Sequence, residues 1–84
     1  MVIELGYSLN DKKIEGIFKE ISAELENAYS KYGPMRSKHE AIAVVFEELN
    51  EVWDTIRHKE PDRRTHEEAV QLAAAVVAMI NDLL

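Results

Sequence analysis

Residues 69–80 read AVQLAAAVVAMI, a run in which every residue except Gln71 is apolar. A helix that is hydrophobic around nearly its whole circumference must be buried on most sides. The other helices of so short a chain can hardly cover it, so the run predicts a helix that also packs against another subunit. Four small residues would let helices approach closely there: Ala73, Ala74, Ala75 and Ala78.

A first helix is predicted well before this run, from about Asn10 to Tyr32. Its apolar residues recur at steps of three and four, which is the stripe of an amphipathic helix. They are Ile14, Ile17, Phe18, Ile21, Leu25, Ala28 and Tyr32. Gly33 and Pro34 end the helix, because glycine adopts the left-handed conformation that closes a helix and proline cannot continue one.

A second helix is predicted to begin at Ser37. Ser37 and Glu40 have the spacing of a capping box, in which each side chain accepts a hydrogen bond from the free backbone N–H of the other residue. The apolar positions of this helix are Ile42, Val45, Phe46, Leu49, Val52, Trp53 and Ile56. The helix ends in the basic residues 57–59, RHK, which suit the negative end of its dipole, and Pro61 breaks the chain.

Thr65 and Glu68 repeat the capping-box spacing and place the start of the third helix. A short extended piece at Val2–Leu5 is the only other element that the pattern suggests. We therefore predict an all-α fold with a single domain over residues 1–84, in which a three-helix protomer assembles into an oligomeric helix bundle. A core this small benefits from a partner chain or a metal ion, since a lone core of about 70–80 residues supplies only ~3–5 kcal/mol.

The composition narrows the classes of partner. The chain has 84 residues, a formal net charge of −6 and no cysteine, and its pI is about 5.0. An acidic surface repels nucleic-acid backbones and anionic lipids, so neither is expected as the main partner. No signal peptide or membrane span is visible, and the lack of cysteine fits a reducing compartment. We expect a soluble, cytoplasmic protein.

Residues 47–54, EELNEVWD, carry a row of acids on the second helix. Like charges three and four positions apart repel by roughly 0.2–0.5 kcal/mol per pair, so the row needs a reason. Asp54 and Glu40 extend it on the Glu47 side. A solvated acidic face is one interpretation. The other is a metal site, because clustered carboxylates supply the hard oxygen ligands that Mg²⁺ and Mn²⁺ prefer.

Glu68 and Gln71 offer a matching face at the first turn of the third helix. Glu68 alone could be a cap. Gln71 is the only polar residue in a long apolar run, and a buried amide needs hydrogen-bond partners or a ligand. Together they favour a site shared by the second and third helices.

These residues resemble the motif of a known family. Residues 47–51, EELNE, match E-E-x-x-E, and residues 68–71, EAVQ, follow where the pattern has E-x-x-D at the start of the next helix. With KYGP at 31–34, SKHE at 37–40 and EEAVQLAAAVV at 67–77, the chain is similar to the short MazG-like all-α nucleoside triphosphate pyrophosphohydrolases of phages and prokaryotes. The resemblance covers roughly Tyr29 to Ile80.

The resemblance implies hydrolysis of a nucleoside triphosphate, or its deoxy form, to the monophosphate and pyrophosphate, with Mg²⁺ as the cofactor and Mn²⁺ as a possible substitute. The family's metal ligands fall on Glu48, Glu51, Glu68 and Gln71. Catalytic roles fall on Glu51 and on Glu47, which would orient or activate water. The family forms dimers and tetramers, and the apolar third helix favours a tetramer here.

Gln71 departs from the family pattern, because it stands where aspartate is usual. An amide oxygen can ligate Mg²⁺ but brings no charge. The site would therefore bind fewer ions, bind them more weakly, or rely on Asp54 or Asp82 for the missing carboxylate. The alternative function is a catalytically degenerate module for helical oligomerisation or nucleotide binding. A purely structural bundle is the third option.

Other side chains are less informative. His39, His58 and His66 lack the E-x-x-H spacing of di-iron bundles. Trp53 could stack on a nucleobase, but a lone tryptophan in an amphipathic helix is more often a core residue. Tyr29 and Tyr32 fit a base pocket or the edge of the core equally well.

Overall fold

Three helices account for most of the chain. A computed structural model of the protein describes residues 10–84. Within that range α1 spans Asp11–Tyr32, α2 spans Lys38–Arg57 and α3 spans Asp62–Leu83, and there is no strand. The all-α prediction is confirmed for this part of the chain, while the extended piece expected at Val2–Leu5 lies outside it. None of the three helices combines the length and hydropathy needed to cross a bilayer.

Local sequence signals set both ends of α1 and the start of α2. The side chain of Asn10 accepts a hydrogen bond from the backbone N–H of Lys13 at 3.1 Å and so caps α1. Gly33 ends α1 with a φ of 72°, a left-handed conformation that glycine adopts without steric cost. The Ser37 hydroxyl accepts from the backbone N–H of Glu40 at 3.1 Å. The predicted limits of α1 and the predicted cap of α2 are therefore confirmed.

The predicted start of α3 is wrong. The helix begins at Asp62 with Pro61 as its N-cap, and no side chain caps it. Because proline already has the φ that helix entry requires, the turn starts directly after it, and the Pro61 carbonyl accepts from the backbone N–H of Arg64 at 2.8 Å. Thr65 consequently lies inside the helix and does not cap it.

Thr65 instead joins α3 to α2 where the two helices are linked. Its hydroxyl lies 2.8 Å from that of Thr55, and the Thr55 hydroxyl donates to the carbonyl of Val52 at 2.7 Å. Because the Thr55 hydroxyl already donates its one proton to the Val52 carbonyl, the Thr65 hydroxyl is the donor in the bond between the two threonines. The pair fixes the register of an antiparallel α2–α3 hairpin whose connection is only residues 58–61.

The fold places α3 in the middle. Both α1 and α2 pack on α3, and they do not pack on each other. A contact between the side chains of Glu20 and His66 at 2.6 Å joins α1 to the early part of α3. The molecule measures 39 × 34 × 22 Å, so its smallest dimension is about two helix diameters. The arrangement leaves an open groove over α3 between the other two helices.

Small residues make up the buried apolar core of the described residues: Ala41, Ala74, Ala75 and Ala78. The close approach that these alanines permit is found within the protomer, and their expected role in contacts between subunits stays a prediction. None of the large side chains in residues 10–84 is fully buried. The prediction that Trp53 is a core residue is also wrong for the single chain, since 53% of its surface is exposed.

Candidate metal centre

The groove between α1 and α2 has a volume of about 630 Å³, which is within the usual range of small-molecule sites. Its floor belongs to α3 and consists of Gln71, Ala74, Ala75 and Ala78. Its α2 wall consists of Glu40, Val44, Glu47 and Glu48, and its α1 wall includes Glu24, Asn27, Tyr29 and Tyr32. Because the floor side chains are mostly single methyl groups, the space above α3 stays open.

Three carboxyl groups meet where α2 crosses α3. Glu48, Glu51 and Glu68 each offer one oxygen, and these oxygens all lie within 4.8 Å of one another. Glu48 and Glu51 are three residues apart and therefore share a face of α2, while the hairpin brings Glu68 of α3 opposite them. We call these three residues the carboxylate cluster. Glu48 also lines the groove, so the cluster and the groove are continuous.

Two buried oxygens of this cluster have no hydrogen-bond partner. Glu68 is only 8% exposed. Its Oε1 accepts from Arg64 at 3.1 Å, whereas its Oε2 has no partner. The Oε2 atom of Glu48 is likewise buried and unpartnered. Since a buried carboxylate without a partner is costly, this donor set suits a cation.

Among residues 10–84, Arg64 is the only basic group that forms an ion pair with the cluster, and it is shared. Its guanidinium also donates to Glu67 at 2.6 Å and lies 3.6 Å from a carboxylate oxygen of Glu60. Arg64 thus faces Glu60, Glu67 and Glu68 together, and of these Glu67 also pairs with Arg63 at 3.6 Å. Glu48 and Glu51 have no basic partner among the described salt bridges.

Burial and the repulsion between neighbouring carboxylates raise the pKa values of Glu48 and Glu51. Burial raises the pKa of Glu48 from 4.5 to about 7, and the charges of Glu51, Glu68, Glu47 and Glu24 add to the effect. The pKa of Glu51 is also raised, first by the close approach of its carboxyl group to that of Glu68 and then by burial and the charge of Glu68. A divalent cation would relieve the same repulsion that a proton relieves.

This repulsion predicts a pH dependence of stability without metal ions. The unfolded chain releases the Glu48 proton near pH 4.5, but the native chain keeps it until about pH 7. Between these values the unfolded state binds fewer protons, so the free energy of unfolding falls as pH rises. We expect the melting temperature in EDTA to fall between pH 5 and pH 8, and Glu48→Gln to fall less steeply. Equal slopes for the two proteins would contradict this prediction.

The structure places the other two predicted site residues in the groove. Gln71 lies on its floor, and Glu47 lies in the α2 wall beside Glu48. Glu47 is exposed and its carboxyl group is not one of the three that converge. The roles of Glu47, Glu48, Glu51, Glu68 and Gln71 as catalytic or metal-binding residues stay predictions.

Neither acid proposed to replace the missing aspartate belongs to the cluster. Asp54 is paired with Arg57, three residues along α2. Asp82 accepts hydrogen bonds from the Tyr29 hydroxyl and from the backbone N–H of Met35, the latter at 2.9 Å. The bond from Tyr29 lowers the pKa of Asp82, with a further contribution from Met35. Asp82 therefore joins the end of α1 and the following loop to α3.

Sequence reasoning missed Glu24, which lies on α1 in the wall opposite Glu48. It is half-buried, it lines the groove and its charge contributes to the raised pKa of Glu48. A signal was present, because Ile17, Ile21, Glu24 and Ala28 follow steps of four, three and four along the apolar stripe. An acid at such a position indicates a polar site at the edge of the core.

The chain was also compared with known proteins. No family model, no curated protein and no solved structure matches it.

Proposed function

We propose that this protein hydrolyses nucleoside triphosphates, or their deoxy forms, to the monophosphate and pyrophosphate with the help of Mg²⁺ or Mn²⁺. The supporting observation is the carboxylate cluster, which contains unpartnered buried oxygens and continues into a groove of ligand size. The resemblance to MazG-like sequences supplies the reaction. The geometry supplies a place where a cation and a triphosphate can meet.

Glu48, Glu51 and Glu68 would hold the cation, and the Gln71 amide oxygen, one turn after Glu68, would complete the set. A bound divalent cation neutralises phosphate charge and makes the α-phosphorus a better electrophile. Glu47 stands next to the cluster in the groove wall. From there its carboxylate would accept the proton of the attacking water, or orient that water.

The groove would hold the nucleoside. Tyr29 and Tyr32 are on its α1 wall, where an aromatic face can stack on a base. The three alanines of the floor offer no hydrogen-bonding side chain, so beyond Gln71 recognition of the base would depend on the walls. A triphosphate entering between Glu24, Glu40 and Glu47 meets negative charge, and it would therefore bind as a complex with its cation.

The protein would act in the cytoplasm as a homo-oligomer, with a tetramer favoured over a dimer by the apolar run of the third helix. An acidic chain with a net charge of −6 is poorly suited to nucleic acid, so free nucleotides are the proposed substrates. The reaction proposed for the groove depends on neither the cellular location nor the oligomeric state.

Turnover of a panel of ribo- and deoxyribonucleoside triphosphates tests this proposal. With Mg²⁺ or Mn²⁺ we expect the monophosphate and pyrophosphate in equal amounts, and none in EDTA. In ¹⁸O-labelled water the label should appear in the monophosphate, because attack is at the α-phosphorus. Orthophosphate as the product, or no product from any nucleotide with either metal, would contradict the proposal.

Gln71 favours a second candidate, a module that binds nucleotides without hydrolysing them. The amide adds no charge to a cluster that would bind the metal more tightly with a fourth carboxylate. Calorimetry separates the two functions. Saturable binding of a triphosphate in the presence of Mg²⁺, with no product after prolonged incubation, would support the binding module.

A further inference from the structure

Five large apolar side chains of α2 are exposed in the single chain: Ile42, Phe46, Leu49, Trp53 and Ile56. Their exposed fractions range from 42% for Ile42 to 58% for Phe46. They are separated by steps of four, three, four and three residues, so they form one straight row along the helix, as in the seam of a coiled coil. We call this row the α2 seam.

The α2 seam faces away from the groove. The side of α2 against α3 carries the buried Ala41 and Thr55, and the groove wall with Glu47 lies to one side of that contact. At about 100° per residue, the seam falls on the opposite side of the contact. On α3, the exposed residues Val77 and Ile80 lie on the side of the helix that faces away from the groove floor. The two helices thus present a common apolar face.

The exposed area is large for a protein that acts alone. With each seam residue about half exposed, and about 200 Å² for a large side chain, the seam leaves on the order of 500 Å² of apolar surface. Val77 and Ile80 of α3 add about 200 Å² and bring the face to roughly 700 Å². This is within the range of area that each partner contributes to a stable complex. The largest patch on a typical monomer is about 300–600 Å².

The order of residues in the seam fits a second copy of the same chain. Read in either direction, the seam has isoleucine, an aromatic residue, leucine, an aromatic residue and isoleucine. A two-fold axis at Leu49 would set the α2 helices antiparallel. It would bring Ile42 opposite Ile56 of the partner subunit. Phe46 lies three residues before the axis, so it would come within one residue of Trp53 of the partner subunit, which lies four residues after it. Such an interface is self-complementary in size, as a two-fold contact requires.

We propose that the α2 seam is a homodimer interface in which two α2 helices pack antiparallel about Leu49. The contact supplies the burial of large side chains that the protomer lacks, and it leaves the groove on the outside of the dimer. It differs from the expected packing of α3 between subunits, because α2 provides most of the buried surface. The proposal stands on the described residues alone and is independent of nucleotide chemistry.

The first test is the mass of the full-length chain in solution, measured by sedimentation equilibrium. The wild-type protein should have at least twice the chain mass of 9.6 kDa, and Leu49→Glu should reduce the mass at least twofold. Phe18→Glu is the matched control, because Phe18 is 59% exposed but lies on α1. Trp53 is the only tryptophan, so its emission should shift to the red when Leu49→Glu separates the chains. A folded wild-type monomer would overturn the proposal.

Cysteine cross-linking decides the matter even if Leu49→Glu does not fold. The chain has no native cysteine. Leu49→Cys should form a covalent dimer under mild oxidation, because the two copies meet at the axis. Ile42→Cys alone should not, whereas mixing Ile42→Cys with Ile56→Cys should give the mixed dimer. No cross-link at Leu49, or efficient self-linking of Ile42→Cys, would overturn the antiparallel seam.

Discussion

Glu51→Gln should lower the rate of pyrophosphate release by at least about 100-fold, since it removes a charged ligand from the proposed metal site. In the wild type, one carboxylate oxygen of Glu51 lies within 4.8 Å of one oxygen of Glu48 and one of Glu68. Glutamine keeps the shape of the side chain but not its charge. The same change also removes a like charge that raises the pKa of Glu48, so the metal-free protein should not lose stability.

Two measurements separate loss of the site from loss of the fold. In EDTA at pH 8 the melting temperature of Glu51→Gln should equal or exceed that of the wild type. Mg²⁺ should raise the melting temperature of the wild type but not of the variant, because only ligands that bind the native state stabilise it. Glu26→Gln, which changes an exposed acid on α1, should behave as the wild type in both. Unchanged turnover in Glu51→Gln would refute the assigned role.

Gln71→Asp should strengthen cation binding by about tenfold or more, equivalent to about 1.4 kcal/mol. Gln71 lies on the groove floor, three residues after Glu68. An aspartate there would add a fourth carboxylate to the donor set, and hard cations bind more tightly as the number of charged ligands rises. If the proposed hydrolysis is correct, turnover at limiting Mg²⁺ should rise as well.

The added charge should also have a cost that can be measured. Without metal ions, Gln71→Asp should melt at a lower temperature than the wild type at pH 8, because it increases the repulsion around Glu48. Gln71→Asn is the matched control, since it has the size of aspartate without the charge. Calorimetric titration with Mn²⁺ compares the three proteins. Equal affinities for the aspartate and asparagine variants would show that residue 71 is not a ligand.

The periodicity of the sequence predicts the helices well, because burial along one face leaves a direct trace in residue spacing. It identifies which residues share a face but not what covers that face. Trp53 was expected to be a core residue, and the structure leaves it and the other four seam residues of α2 exposed. The start of α3 was misplaced for another reason. The capping pattern at Thr65 was a sound local signal, but Pro61 had already begun the helix.

The convergence of Glu48, Glu51 and Glu68 was predictable from two facts. Spacing alone places Glu48 and Glu51 together, and a short connection between α2 and α3 brings the start of α3 back beside the end of α2. The contribution of Glu24 was not predicted, because it depends on how α1 crosses α3. No rule of spacing within one helix gives the position of a neighbouring wall. The engagement of Asp82 with Tyr29 was missed for the same reason.

Because α1 packs on α3 and not on α2, the carboxylate cluster and the far wall of the groove are carried by different parts of the fold. The carboxylate cluster belongs wholly to the α2–α3 hairpin, whose register the two threonines fix. The far wall is carried by α1, which reaches the hairpin only through α3 and the connecting loop. Substitutions where α1 meets α3 can therefore widen or narrow the cleft while the acidic centre keeps its shape. Under the proposed function, nucleotide preference could therefore change while the three cation ligands keep their arrangement.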